Sequence, residues 1–214
     1  MFNIPTLLTW FRIAAIPIIV GVHYLPTGWL TPSGQNWLGA GIFVVAGLTD
    51  WLDGYLARKW KQTSSFGAFL DPVADKLMVS AALIVLVQLG RADAILAFII
   101  IGREITISAL REWMAQAGKS KSVAVSTIGK FKTAAQIIAI VALLLWQPLI
   151  PGLDTKTVGT FALWIAAALT LWSMFYYLQR AFHELKRSHG ERRQNPPERR
   201  RKLTRVSKSS DSSV

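Results

Sequence analysis

The apolar residues of this chain come in six long blocks, at about 5–25, 38–60, 68–90, 94–115, 130–148 and 158–180. Each is close to the ~20 residues that an α-helix needs to cross the hydrocarbon of a bilayer. In lipid every backbone polar group must be satisfied internally, which leaves helices or a closed barrel. Barrel strands are only ~9–11 residues long and alternate apolar with polar positions. These blocks are longer, do not alternate, and are rich in Leu, Ile, Ala and Gly. The predicted fold class is therefore an all-α membrane protein with six transmembrane helices. Composition agrees, with 52% of the 214 residues hydrophobic and nine Trp. The absence of Cys excludes a disulfide framework and thiolate metal sites. The opening "MFNIPTLLTWFRI" has neither a basic n-region nor a small-residue cleavage signature, so it reads as the first span and not as a cleavable leader.

The basic residues sort the connections. Segment 24–37 has no Lys or Arg, the turn near 91–93 has Arg91 alone, and 149–157 has Lys156 alone. On the other side, 58–65 carries Arg58, Lys59 and Lys61, and 116–129 carries Lys119 and Lys121, with Lys130 and Lys132 just beyond. The positive-inside rule places this second set, and both termini, in the cytoplasm. The net charge of +12 is concentrated at the end: residues 186–214 hold ten Lys/Arg against three acids. The expected organisation is a six-helix catalytic domain over 1–182 and a basic, disordered cytoplasmic tail over 183–214, weakly attracted to anionic headgroups. No aromatic residues interleave with those charges, so nucleic acid is not an expected partner.

Four aspartates interrupt the apolar pattern in "DWLDGYLARKWKQTSSFGAFLDPVADK", residues 50–76. Asp50 and Asp53 lie in the last turns of the second span, Asp71 and Asp75 in the first turns of the third. A hairpin through a basic cytoplasmic loop brings all four to one depth. Asp50, Asp53, Gly54 and Ala57 follow i, i+3, i+4, i+7, and Gly67, Asp71 and Asp75 follow i, i+4, i+8, so each set lies along one helix face. A carboxylate inside a span costs ~2.5–3.5 kcal/mol even on the lenient insertion scale, and by default it faces an interior cavity and marks function. Four together would repel one another, and one or two divalent cations relieve the conflict. Hard oxygen ligands point to Mg2+ or Mn2+, and paired metals ~3.5–4 Å apart are the usual clamp for phosphoryl chemistry. Caps, or ion pairs with Arg58 and Lys76, would account for single aspartates, but they do not require four at matched depth.

This pattern, Asp50-x2-Asp53-Gly54-x2-Ala57-Arg58-x8-Gly67-x3-Asp71-x3-Asp75, resembles without a gap the signature of the CDP-alcohol phosphotransferases. The resemblance implies their fold, and the transfer of a substituted phosphoryl group from a CDP-linked donor to an alcohol, with release of CMP. It implies that Asp50, Asp53, Asp71 and Asp75 hold two divalent cations, that Asp75 is the general base, and that Gly54, Ala57, Arg58 and Gly67 line the nucleotide and diphosphate pocket. "PTLLTWFR" in the first span is similar to the family's Pro-Asn-x-x-Thr-x-x-Arg pattern, which adds Thr9 and Arg12 to the donor site; Thr6 stands where Asn is common. A homodimer in the cytoplasmic (inner) membrane, with its active site facing the cytoplasm, is implied as well.

"REITISALREWMA" and "VAVSTIGKFKT" closely resemble the bacterial members of the family that use sn-glycerol 3-phosphate as acceptor and CDP-diacylglycerol as donor. A dianionic acceptor beside carboxylates needs cations to hold its phosphate, a fork from Arg or a point charge from Lys. Arg103, Arg111, Lys130 and Lys132 are the candidates. Glu104, Ser108 and Arg111 share a face at i, i+4, i+7. The competing reading is a buried Arg–Glu network that only ties helices together, and Lys132 also fits the basic pattern of a cytoplasmic loop. A sister enzyme with serine, inositol phosphate or phosphatidylglycerol as acceptor, and a divalent-cation transporter that uses the carboxylates as a filter, are the alternative functions.

Overall fold

A computed structural model describes residues 4–60, 65–116, 127–150 and 153–194. The described residues form six helices: α1 (Ile4–Val22), α2 (Pro32–Trp60), α3 (Ser65–Gln88), α4 (Ala94–Gln116), α5 (Thr127–Leu145) and α6 (Thr155–Gln194). Between α5 and α6 a short antiparallel hairpin pairs β1 (Pro148–Ile150) with β2 (Leu153–Asp154). The all-helical expectation therefore holds apart from this hairpin. Two ends differ from the apolar blocks. α2 starts at Pro32 instead of near 38, and α6 continues to Gln194, so the basic segment expected to be disordered from 183 begins as helix.

Local chemistry explains the ends. Thr31 caps α2, its Oγ1 accepting from Gly34 N at 3.2 Å, and Pro32 follows at the first helical position, where its fixed φ and missing N–H cost nothing. Asp93 Oδ1 accepts from Ile95 N at 2.8 Å and Leu96 N at 3.2 Å, opening α4. α3 ends in a Schellman arrangement: Gly90 takes φ +67° and Arg91 N donates to Leu86 O at 2.8 Å. Pro17 and Pro72 sit inside α1 and α3.

The helices pack around a main apolar core that includes Ile19, Phe43, Met78, Leu83, Leu86, Ile100, Ile140, Leu143 and Leu163, with a smaller cluster of Ile107 and Met114 of α4 against Tyr177 and Ala181 of α6. Ala46, Ala82, Ala139 and Ala166 are fully buried and let helices approach closely. α6 packs chiefly on α5 and α4, and α1 on α2 and α3. Many large apolar side chains point outward, among them Phe98 (76% exposed), Phe131 (70%) and Trp172 (70%). Among the described residues Thr155–His183 is long and apolar enough to cross a membrane, and Leu7–Val22 and Phe131–Leu145 are shorter apolar stretches.

At the end of the bundle where α3 gives way to α4, Arg91 ties three elements together. Its Nη1 donates to Leu144 O at 2.9 Å and Leu143 O at 3.3 Å, which closes the C-terminus of α5. Its Nη2 donates to Asn36 Oδ1 of α2 at 2.8 Å, and the guanidinium lies 5.2 Å from the centroid of the Trp146 ring. Desolvation lowers its pKa from the ordinary arginine value, though arginine remains charged. This clamp lies at the far end of α3 from Gly67, Asp71 and Asp75, and so fixes the bundle without touching them.

Candidate active site

α3 carries the part of the aspartate pattern whose side chains are described. Gly67 is buried, Asp71 is half-buried one turn on, and Asp75 is exposed one turn further. The stripe therefore leads from a packed helix contact out to open space. Thr9, on α1, is buried against it, and its hydroxyl donates to Asp71 Oδ1. Arg12, nearly one turn beyond Thr9 on α1, is fully buried. Two separate stretches of sequence, the first span and the aspartate motif, thus meet at one carboxylate.

Asp75 opens onto a cavity of about 80 Å3 lined by Lys76, Val79, Glu104, Thr133, Gln136 and Ile137. α3, α4 and α5 each contribute a wall. On the α4 wall Arg103 Nη1 donates to Glu104 Oε1 at 3.1 Å, and Lys132 Nζ from α5 donates to the same oxygen. Arg103 Nη2 reaches Ser173 on α6 at 2.9 Å, and Ser173 Oγ in turn donates to Thr170 O at 3.0 Å. Arg103 and Lys132 are buried, while the Glu104 side chain keeps 24% of its surface exposed. A buried cation pair with one carboxylate between them is held by packing and hydrogen bonds from three helices, α4, α5 and α6.

Of the four basic acceptor candidates, Arg103 and Lys132 come together here. Arg111 does not join them at Glu104: it is exposed, with its guanidinium 5.5 Å from the centroid of the Tyr177 ring of α6. Ser108 shares the face with Glu104 and donates to its backbone carbonyl at 2.6 Å. Lys130 lies in α5, and Asp50, Asp53, Gly54, Ala57 and Arg58 lie in α2, with side chains outside the described residues.

Ser173, Thr133 and Gln136 carry no sequence signature of a site. Gln136 stands four residues after Lys132, a spacing that could have flagged it; a lone Ser in an apolar helix offers nothing comparable. For hard divalent cations the donor chemistry of α3 fits: Asp71 and Asp75 offer oxygen ligands one turn apart on one face. Among the described residues no group of three or more His, Cys, Asp or Glu gathers in one place, and the side chains of Asp50 and Asp53, the other half of the expected set, lie outside them. What the arrangement provides is a carboxylate, Asp75, at the edge of a small cavity whose α4 wall is Glu104, with two buried cations bonded to Glu104 behind it, which suits moving a proton beside a bound anion.

The profile of a family described as CDP-alcohol phosphatidyltransferase matches residues 2–172. A CDP-diacylglycerol–glycerol-3-phosphate 3-phosphatidyltransferase of Pectobacterium atrosepticum is 55% identical over 188 residues, covering 86% of this chain and 97% of that protein. Proteins of the same name from Sodalis glossinidius and Escherichia coli K12 are 53% and 50% identical, with the same coverage.

Proposed function

The chain belongs to the CDP-alcohol phosphatidyltransferase family, and from that premise we propose the chemistry of its site. The enzyme transfers the phosphatidyl group of CDP-diacylglycerol to sn-glycerol 3-phosphate, forming phosphatidylglycerophosphate and CMP in phospholipid biosynthesis. The observation that supports the site assignment is the cavity that Asp75 shares with Glu104, the carboxylate to which the buried Arg103 and Lys132 are bonded.

In this reading the six helices span the inner membrane with both termini in the cytoplasm, as a homodimer. The outward apolar side chains of α1, α4, α5 and α6 suit lipid contact. CDP-diacylglycerol enters sideways from the inner leaflet, leaving its acyl chains in lipid. Thr9, Arg12, Gly54, Ala57, Arg58 and Gly67 line the donor site. Thr9 orients Asp71 through their hydrogen bond, and Gly67 keeps the wall low beside it. Asp50, Asp53, Asp71 and Asp75 would hold two divalent cations, Mg2+ or Mn2+, which when bound neutralise charge on the diphosphate.

Arg103 and Lys132 take the acceptor's phosphate, with Lys130 and Arg111 nearer the cytoplasmic end of the same helices. That grip leaves the primary hydroxyl of the acceptor toward Asp75. Asp75 accepts its proton as the oxygen attacks the phosphorus that bears diacylglycerol. The bond from that phosphorus to the bridging oxygen breaks, and CMP departs with the electron pair. Catalysis is mostly positioning and charge stabilisation, as in other phosphoryl transfers.

The test is CMP release by the purified full-length protein from CDP-diacylglycerol in magnesium, with glycerol 3-phosphate, glycerol, serine and inositol phosphate offered in turn. Only glycerol 3-phosphate should support turnover, and Asp75→Asn should lower it by about 10²–10⁴-fold. Equal turnover with any of the others, or full activity in the Asp75 variant, would refute the corresponding assignment.

A further inference from the structure

Glu104 has no part in the chemistry above, yet its carboxylate stands between the two cations assigned to the acceptor. Building on that assignment, we infer that Glu104 is an internal stand-in for the acceptor's phosphate: it holds the seat between Arg103 and Lys132 until a phosphate displaces it.

Four observations converge. First, a single oxygen, Glu104 Oε1, receives both Arg103 Nη1 and Lys132 Nζ, the bridging position a phosphate oxygen would take. Second, the two cations are the fixed partners and the carboxylate is the movable one. The side chains of Arg103 and Lys132 are 7% and 4% exposed against 24% for Glu104, and Arg103 is also held by Ser173. Third, Arg103 Nε is buried with no hydrogen-bond partner among the described residues. Leaving such a donor unpaired is costly, and a phosphate, with three acceptor oxygens, can engage the guanidinium fork and Lys132 together where this carboxylate leaves Nε unpaired. Fourth, the cavity shared by Glu104 and Asp75 has a volume of about 80 Å3. Glu104 lines it, so the carboxylate stands between that space and the two cations bonded to it. Withdrawing the Glu104 side chain both empties the seat and enlarges the cavity beside Asp75.

The device selects for charge. With Glu104 in place the two cations are only half neutralised, and a dianion completes the balance. An alcohol without phosphate brings nothing that can displace the carboxylate, so it meets an occupied seat. Glu104 is thus a positioning and specificity residue that acts through Arg103 and Lys132.

A brace and a stand-in predict opposite signs. The full-length protein in magnesium buffer is titrated with inorganic phosphate by calorimetry, and the same variants are assayed for KM with glycerol 3-phosphate. Glu104→Gln keeps the size and an acceptor oxygen but removes the charge. It should bind phosphate about fivefold or more tightly than the parent, with KM for glycerol 3-phosphate falling in parallel and discrimination against glycerol weakening. Unchanged or weaker phosphate binding would make Glu104 a brace and overturn the inference. Should the Gln variant not fold, Glu104→Asp, too short to reach both cations, is read in the same way. The unaltered protein gives an independent measurement: phosphate should speed the modification of Glu104 by a water-soluble carbodiimide, followed by mass spectrometry, and no acceleration would count against displacement. The binding arms do not use turnover. Tighter phosphate binding without turnover on glycerol 3-phosphate would sink the acceptor assignment alone. Normal turnover with unchanged phosphate binding would sink the stand-in alone.

Discussion

The Thr9 hydroxyl on α1 donates a hydrogen bond to Asp71 Oδ1 on α3, joining positions 62 residues apart. Thr9 is buried, and Asp71 gains a donor that fixes one of its oxygens. A hydrogen bond to a charged group is worth ~1.5–3 kcal/mol, toward the lower end for a carboxylate that is only half-buried. Thr9→Val should therefore lower kcat/KM for CDP-diacylglycerol about tenfold, while Thr9→Ser, which keeps the hydroxyl, should stay near the parent. Steady-state CMP release at varied donor concentration checks this, and equal behaviour of the two variants would remove Thr9 from the donor site.

The proposed role of the same helix face makes dependence on divalent cations an expected outcome. Chelation should abolish CMP release, and added Mg2+ or Mn2+ should restore it. Asp71→Asn keeps the shape but loses the charge that a hard cation needs, so it should raise the Mg2+ concentration for half-maximal activity by about tenfold or more. A variant with unaltered magnesium dependence would exclude Asp71 as a ligand.

Both of these predictions concern residues that are legible in the sequence. Gly67, Asp71 and Asp75 at i, i+4, i+8 define a face by periodicity alone, and the structure gives that face a direction, from buried Gly67 to exposed Asp75. Thr9 and Arg12 are legible through their motif, but not the meeting of Thr9 with Asp71, because contact between α1 and α3 is set by packing across 62 residues. Lys132 shows where composition misleads. It fits a basic cytoplasmic loop, yet it is buried on Glu104, while Arg111, which precedes a Glu just as the buried Arg103 does, lies exposed on Tyr177. Ser173 is illegible, since a single hydroxyl in an apolar helix acquires its role only from what the fold sets opposite it. Arg91 reads as a lone charge in a turn, and its function as the cap of α5 needs the ends of two other helices in place.

Arg91 should matter for stability and not for turnover. Replacing it with Met keeps much of the apolar stem but leaves Asn36 Oδ1, Leu143 O and Leu144 O without this donor. Asn36 is buried, so the loss should cost about 2–3 kcal/mol. Thermal unfolding in detergent should shift down clearly, while kcat at low temperature should stay near that of the parent, because Asp75 lies in the other half of α3 and takes no part in the Arg91 contacts. A loss of kcat without a loss of stability would show that the two ends are coupled.

A close approach of α5 and α6 gives the last prediction. A Cβ built on Gly159 would lie 2.7 Å from Leu143 Cγ, 2.9 Å from Cδ2 and 3.1 Å from Leu143 N. The backbone nitrogen cannot move away without displacing α5, so Gly159→Ala should destabilise by ~1–3 kcal/mol through overpacking, against the ~1 kcal/mol that alanine gains in a helix. Gly41, on α2, has nothing within 4 Å of the same construction, and there Ala should be neutral or stabilising by the propensity term alone. Unfolding midpoints of the two variants should move in opposite directions or at least separate by several degrees. Coincident midpoints would mean that α5 and α6 are not in contact at Gly159, and the wall that carries Lys132 would then lack the support of α6 described above.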